Sequence, residues 1–314
     1  GNSLLGSPTT LAIYLVAALF AVVDGLQRPS MDAMLPRLVS HEDLPAASAL
    51  LSLRWQLGVI VGPTIGGIIF STMSVSAGYV VDIATYILSL LFLARVRSIP
   101  ASKEAEKPSL AALLDGVKYA FRRQDLLGTY IIDLAAMTLA MPMALYPFWA
   151  DELNAPWALG MFYAAITVGS VIVTLTSGWT RTYRFHGRAV ILAAMGWGLA
   201  IAAAGLSHSL ILVLLFLTVA GASDMVSALF RGNIWNQTIP DHFRGRLAGI
   251  ELLSYSVGPL AGQLRAASMA AATTLSISVT SGGLMCVVVV AFLAIFLPKM
   301  WKYDVQTNEF AVRE

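Results

Sequence analysis

Nine apolar runs constrain this chain more than any other feature, because each is long enough to cross a bilayer as a helix. A membrane-spanning helix needs about 20 apolar residues. We expect such helices over segments 9–30, 45–73, 75–96, 125–150, 157–179, 188–206, 209–233, 245–271 and 274–298. Only 12% of the residues are charged, too few to cover a soluble domain of this length. The runs are also longer than the alternating segments of a membrane barrel. The sequence therefore predicts an all-α membrane protein.

The basic residues predict the orientation of these helices. Loops on one side of the membrane carry no Lys or Arg, and only Arg54 and Arg265 lie well within spans. The remaining basic residues fall on the other side: Arg28, Arg37, Arg95, Arg97, Lys103, Lys107, Lys118, Arg122, Arg123, Arg181, Arg184, Arg188, Arg231, Arg244, Arg246, Lys299, Lys302 and Arg313. Positive charge marks the cytoplasmic side. We therefore expect Gly1 outside and the C-terminus in the cytoplasm, with Arg28 and Arg231 a turn or two inside the membrane.

A polar stretch divides the chain into two helical bundles. Its second part, SLAALLDGVKYAF, places apolar side chains on one helical face and is typical of an amphipathic helix on a membrane surface. We expect residues 1–97 to form an incomplete N-terminal bundle of three helices and residues 98–124 the linker. Residues 125–299 would form a six-helix bundle, and residues 300–314 a cytoplasmic tail.

A weak internal repeat relates the two bundles. Asp24 and Asp224 each lie in a helix that ends in a polar loop, and VGPTIGG at Val61 corresponds to VGPLAGQ at Val257. Three spans precede the Asp224 helix in the second copy, whereas none precedes the Asp24 helix in the first. If the halves are equal, three N-terminal helices are missing and nine of twelve are present. Parallel repeats of this kind are the design of major facilitator transporters.

Three local patterns carry a family resemblance over the whole chain. QRPSMDAMLPRLVSHEDLPAASAL from Gln27 resembles a loop after helix four, and DLAAMTLAMPMALYP from Asp133 resembles helix seven. GVIVGPTIGG, residues 58–67, matches the antiporter motif Gly-x-x-x-Gly-Pro-x-x-Gly-Gly of helix five. The chain thus resembles the major facilitator superfamily, in its enterobactin-exporter and drug-efflux branch. The loop SGWTRTYRFHGR departs from the family pattern, because it lacks the acidic residue.

The antiporter-like motif has two readings. Gly58, Gly62 and Gly66 form a smooth stripe that allows close helix approach, and packing alone explains that spacing. Pro63 removes a backbone hydrogen bond and permits a bend beside Gly67. The resemblance implies that such a bend shapes a cavity and keeps the helix closed to ions.

Charged and aromatic residues inside the spans are the candidate site. The candidates for coupling to protons are Asp133, Asp24, Asp224 and Glu251, and those for a substrate cavity are Arg54, Trp55, Trp235 and Tyr255. Ionisable groups inside a membrane are costly and usually functional. The resemblance implies that helices four, seven and ten line the cavity. Structural ion pairs, bonds to nearby backbone and aromatic packing remain the alternatives for these residues.

The function expected is secondary active transport. No G-x-x-x-x-G-K-[ST] loop is present, so ATP is not bound by that route. We expect proton-coupled efflux of a small amphipathic molecule, siderophore-like or drug-like, by a monomer in a bacterial inner membrane. We expect contact with lipid and no enzymatic activity, cofactor, metal or nucleic acid. The alternatives are a multi-pass receptor or intramembrane enzyme, and an inactive fragment.

Cysteines introduced at Ser102 and Ser207 test the orientation. Seven basic residues gather between residues 95 and 123, so this segment should face the cytoplasm. An impermeant thiol reagent added to intact cells should label position 207 and leave position 102 unlabelled. Labelling at position 102 instead would reverse the topology.

Overall fold

The computed structural model describes residues 75–95, 118–239 and 241–308. It also describes single positions before residue 75, namely 15–16, 19–20, 23, 50, 54, 58, 61–62, 65–66, 69 and 73. For residues 75, 181, 241–246 and 248–255 the description covers the backbone. The chain divides into two compact units, residues 1–106 and residues 107–314. Each unit is described by itself.

In the first unit the described part contains one long helix, α1, at Val75–Leu93. It coincides with the predicted span 75–96. Within it the Thr85 hydroxyl donates a hydrogen bond to the Asp82 carbonyl at 2.8 Å. Gly58, Gly62 and Gly66 are helical, and a Cβ on any of them would meet no atom within 4 Å. Pro63 and Gly67 lie outside the described residues, so both readings of the antiporter-like motif stay open.

The second unit is a helical bundle that begins with α2, Gln124–Leu139. The helices that follow are α3 (Tyr146–Glu152), α4 (Leu159–Leu175), α5 (His186–Leu206), α6 (Leu210–Thr238), α7 (Asp241–Ala272), α8 (Leu275–Phe296) and α9 (Pro298–Trp301). A short 3₁₀ helix, Met143–Leu145, separates α2 from α3. Because Pro142 and Pro147 flank that turn and have no N–H to donate, they interrupt the predicted span 125–150.

Six helical segments of the described part are long and apolar enough to span a membrane. They are Ser76–Leu93, Gln124–Glu152, Pro156–Leu175, His186–Leu206, Leu210–Thr238 and Leu275–Phe296. Each lies on a span predicted from the sequence. The helix α7 covers the predicted span 245–271 and contains Pro259, but it is more polar than the other six. The predicted spans 9–30 and 45–73 lie mostly outside the described residues.

Close helix contacts in the second unit depend on glycines. The helix α6 packs along α4 and α5, α5 packs along α8, and α2 packs along α7. A Cβ on Gly221 would lie 1.9 Å from the Ile166 carbonyl oxygen, and one on Gly169 would lie 1.9 Å from the Thr218 carbonyl oxygen. Both obstacles are backbone atoms, which cannot rotate away. Close approach of α4 and α6 therefore requires glycine at these positions.

The segment after α8 folds onto the same end of the bundle as the start of α2. Met300 and Tyr303 are fully buried, and Met300 packs against Gly128 and Gly187, where a Cβ would collide with it. The guanidinium of Arg184 bonds to Asp304. These hydrogen bonds lower the pKa of the Asp304 carboxyl, so the pair is ionic at neutral pH. The predicted tail from residue 300 thus begins as part of the packed bundle.

Gly221→Ala should destabilise the protein, and Gly232→Ala on the same helix is its matched control. The added methyl at position 221 meets backbone, and such overpacking costs about 1–3 kcal/mol. Position 232 has open space around it, and alanine is the better helix former. The apparent melting temperature in detergent should therefore fall for Gly221→Ala and stay equal or rise for Gly232→Ala. Equal melting temperatures for both would contradict this account of the α4–α6 contact.

Candidate functional site

An ion pair between Asp133 on α2 and Arg231 on α6 lies at the centre of the site. Only 7% of the Asp133 side chain and 2% of the Arg231 side chain are exposed. Asp133 lies nine residues after the start of α2, about 14 Å along the helix. Both helices belong to predicted spans. The pair therefore lies in a region where the uncompensated charge of either member would be strongly unfavourable.

The spacing of residues along α6 places Arg231 in the bundle. Ser227, Arg231, Ile234 and Thr238 are all buried and recur every three or four residues. This is the spacing of one helical face. The face consists of one charged residue among small polar and apolar ones, so the guanidinium is carried inward when the apolar residues pack. Asp133 reaches it from the buried face of α2, which also carries Ile132 and Met137.

Asp224 adds a second carboxylate to this cluster. It lies seven residues before Arg231, two turns away on the same side of α6. Its charge interacts favourably with Arg231 and unfavourably with Asp133. Arg231 thus pairs directly with Asp133 and has a second carboxylate two turns away on its own helix. When both acids are ionised the cluster has an excess negative charge.

An aromatic contact lies one turn from the ion pair, towards the end of the bundle that carries Arg123, Arg184 and Arg188, which we call the basic end. The rings of Tyr130 and Trp235 stack with their centroids 5.4 Å apart and an interplanar angle of 19°. The indole Nε1 of Trp235 donates a hydrogen bond to the Thr129 hydroxyl at 2.8 Å. The predicted cavity residue Trp235 thus has one face covered by Tyr130. In this conformation it links α2 to α6.

Arg123 forms a third link at the end of both helices. Its guanidinium donates to the Thr238 carbonyl at 2.8 Å and to the Tyr119 hydroxyl at 3.0 Å. It also forms a buried ion pair with Asp125. Thr238 is the last residue of α6, where the carbonyls have no partner within the helix. The cation therefore satisfies this helix end and ties it to the start of α2.

The three links form a seam, which we call the α2–α6 seam: Arg123 with Thr238, Tyr130 with Trp235, and Asp133 with Arg231. The helix α2 packs chiefly along α7, and its backbone approaches α6 at few positions. These side-chain contacts therefore account for most of the connection between the two helices. Along the seam, the hydrogen-bonded contact of Arg123 comes first, the aromatic stack second and the buried charge cluster last.

The other predicted site residues are less fully placed. Glu251 and Tyr255 lie on the helical backbone of α7, and Arg54 is helical and exposed in the first unit. Asp24 and Trp55 lie outside the described residues. The structure thus brings together Asp133, Asp224 and Trp235 from the predicted set.

Sequence reasoning did not identify the partner of Asp133. Arg231 was expected a turn or two inside the membrane, and it does lie about two turns before the end of α6 at Thr238. Its spacing of seven from Asp224 was a signal, since it puts both charges on one helical face. Tyr130 and Thr129 gave no such signal, because aromatic and hydroxyl side chains are common in membrane helices.

Arg265 forms a separate polar contact near the other end of the bundle. Its guanidinium donates to the Ser278 carbonyl at 3.3 Å and lies against Gly282, where a Cβ would be 2.4 Å from it. The structure places the guanidinium across the contact between α7 and α8, so it joins these two helices.

These features define a helical integral membrane protein with charges buried between its spans, the arrangement found in transporters and channels. The chain belongs to the Major Facilitator Superfamily, whose model matches residues 1–263. It is therefore a transporter of the multi-pass membrane class. It is 28% identical over 304 residues to the enterobactin exporter EntS of Shigella boydii serotype 18. The enterobactin exporters EntS of Escherichia coli O81 and O139:H28 match equally well. In each case the match covers 96% of this chain and 73% of the relative.

A double-mutant cycle tests the ion pair. Arg231→Met leaves the Asp133 carboxylate buried without its guanidinium, and breaking a buried pair costs about 3–5 kcal/mol. Asp133→Asn combined with Arg231→Met removes both charges and should recover much of that loss. Thermal unfolding of the purified protein at pH 8 measures each step.

Arg122→Met is the matched control, because Arg122 is exposed. It should change the melting temperature little. If the effects of Asp133→Asn and Arg231→Met simply add in the double variant, the two side chains do not interact as described.

Proposed function

We propose that this protein is a proton-coupled exporter of a small amphipathic molecule that works by alternating access. The observation that carries the proposal is the buried ion pair of Arg231 with Asp133, together with a second carboxylate, Asp224, two turns away on the same side of α6. A purely structural pair needs one acid and one base. Here a second acid is present, and it supplies a place for one exchangeable proton.

The charge balance of the cluster supports coupling to protons. With both acids ionised the cluster carries one net negative charge, and binding of one proton makes it neutral. In the low dielectric of a membrane interior this change has a large effect on the local energy. A proton on Asp133 weakens the attraction between Asp133 and Arg231. The ionised carboxylate of Asp224 is then the remaining counter-charge of the guanidinium. The helix α6 thus has two electrostatic arrangements that differ by a single proton.

The α2–α6 seam offers a route from protonation to movement. The ion pair, the Tyr130–Trp235 stack and the Arg123 contact all join the same two helices. The family resemblance implies that these helices, seven and ten of the full fold, line the transport cavity. Loss of the ion pair weakens the innermost link. The remaining links then separate at lower cost, which is the opening that alternating access requires at the basic end.

The nature of the substrate is supported by the relatives and by the site. The relatives are named as enterobactin exporters, which favours export of a small molecule across a bacterial inner membrane. Trp235 is half-buried, so the uncovered part of its indole offers an aromatic surface one turn from Arg231. Such a surface suits an amphipathic ligand that carries aromatic rings. Tyr255 on α7 is a proposed further contact, and Arg54 and Trp55 of the first unit stay predicted cavity residues.

Asp133→Asn tests coupling in proteoliposomes that contain the purified protein. The amide keeps the size of the carboxylate but cannot release a proton. With radiolabelled enterobactin as the probe, the variant should lose uphill efflux driven by a pH gradient. Exchange of labelled for unlabelled enterobactin without a gradient should persist. Arg54→Ala should instead reduce both, because a cavity residue acts on binding.

The control is Arg122→Met, which should transport as the unaltered protein does. Asp224→Asn should shift the pH dependence of efflux, because it leaves Arg231 with a single acidic partner. If Asp133→Asn retains full uphill efflux with unchanged pH dependence, Asp133 is structural. Coupling then falls to Asp24, Asp224 or Glu251.

A further inference from the structure

An open groove runs between α4, α5 and α6 on a face of α6 away from the charge cluster. It has a volume of about 370 Å³ and is lined mainly by apolar side chains. These include Val173, Trp179, Tyr183, Leu192, Val219 and Val226. At 100° per residue, Val219 and Val226 point between a third and nearly half a turn away from Asp224 and Arg231. The groove is therefore separate from the α2–α6 seam.

Aromatic side chains form the mouth of this groove. Trp179 and Tyr183 meet edge to face with centroids 6.3 Å apart, and Phe230 supports both rings at 5.5 and 5.6 Å. Trp179 remains 44% exposed although it is held by these contacts. Fixed, half-exposed Trp and Tyr rings are typical of the depth where acyl chains meet headgroups. These rings predict that the groove opens at the membrane interface, with its apolar part along α5 facing the acyl chains.

A cation is fixed beside the aromatic mouth. The guanidinium of Arg188 lies 4.3 Å from the centroid of the Phe185 ring, and that ring lies 6.4 Å from the Tyr183 ring. The Arg188 guanidinium also lies 5.6 Å from the centroid of the Trp301 ring, and the Arg188 Nε donates a hydrogen bond to the Trp301 carbonyl at 3.4 Å. Within the described ranges no acidic side chain forms an ion pair with Arg188, whereas the neighbouring Arg184 is paired with Asp304. Arg188 therefore keeps its full positive charge, and it lies one turn of α5 before Leu192, which lines the groove.

We propose that this groove is a binding site for one anionic glycerophospholipid of the leaflet at the basic end of the bundle. One acyl chain fills the space between Val173, Leu192 and Val219. The phosphate lies at Arg188, held by the charge and by hydrogen bonds from the guanidinium. Charge complementarity selects this occupant, because basic residues near a membrane surface attract anionic lipid. A zwitterionic lipid would fill the groove equally well but would bring no net charge to Arg188.

Quenching of Trp179 fluorescence by brominated lipid tests the proposal directly. The protein is placed in phosphatidylcholine nanodiscs that contain increasing fractions of dibrominated phosphatidylglycerol or dibrominated phosphatidylcholine. The signal of Trp179 is the difference between the unaltered protein and Trp179→Phe. We expect half-maximal quenching at about a fivefold lower mole fraction of the phosphatidylglycerol. Inorganic phosphate at millimolar concentration should not compete, since it lacks the acyl chain.

Three variants make the result specific to Arg188. Arg188→Gln should remove the preference for the anionic lipid, and Arg188→Lys should retain much of it. Arg122→Gln removes an exposed arginine near the same end and should leave the preference unchanged. Equal quenching by the two lipids in the unaltered protein would overturn the proposal, and so would a preference that survives Arg188→Gln. Competition by inorganic phosphate would show a simple anion site and would also overturn it.

Discussion

A guanidinium buried among helices that cross a membrane must have a counter-charge, and the Asp133–Arg231 pair supplies it. Neither charge is tolerable alone at that depth, so α2 and α6 can associate only in a register that brings the two residues together. Apolar contacts between membrane helices are less selective, since lipid tails compete with them equally well. The pair thus sets the alignment of two helices whose backbones meet at few other positions.

The rest of the second unit accommodates this alignment. Gly169 and Gly221 let α4 and α6 approach until backbone touches backbone, which holds α6 against α4. The segment after α8 supports the basic end, where the Tyr303 hydroxyl donates to the Gln237 side chain at 3.3 Å and Met300 packs against α2. The helix α6 is therefore constrained along most of its length. The part beside Asp224 and Arg231 is where a change in charge has the greatest effect.

Hydropathy was sufficient to predict the helices of the described part but not their contacts. The spans followed from the length of the apolar runs, and the polar helix α7 was found because its run of small and apolar residues was still continuous. The pairing of Asp133 with Arg231 joins residues 98 positions apart, and no local pattern specifies such a contact. The cover of Tyr130 over Trp235 and the burial of Tyr303 depend on helix rotation in the same way. The family resemblance pointed to Asp133, but the counter-ion required coordinates.

The charge cluster and the groove occupy different faces of one helix, and this arrangement has a consequence for movement. Rotation of α6 by a third of a turn would bring Asp224 and Arg231 towards the position of Val219 and Val226, that is, towards lipid. Exposing one charged side chain to lipid costs about 2.5–3.5 kcal/mol even on the insertion scales that give the lowest values. Under the proposed mechanism we therefore expect no response to protonation that turns the helix about its axis. Sliding or tilting keeps the charged face inside the bundle, and the break at Pro142 between α2 and α3 gives the partner helix a place to bend.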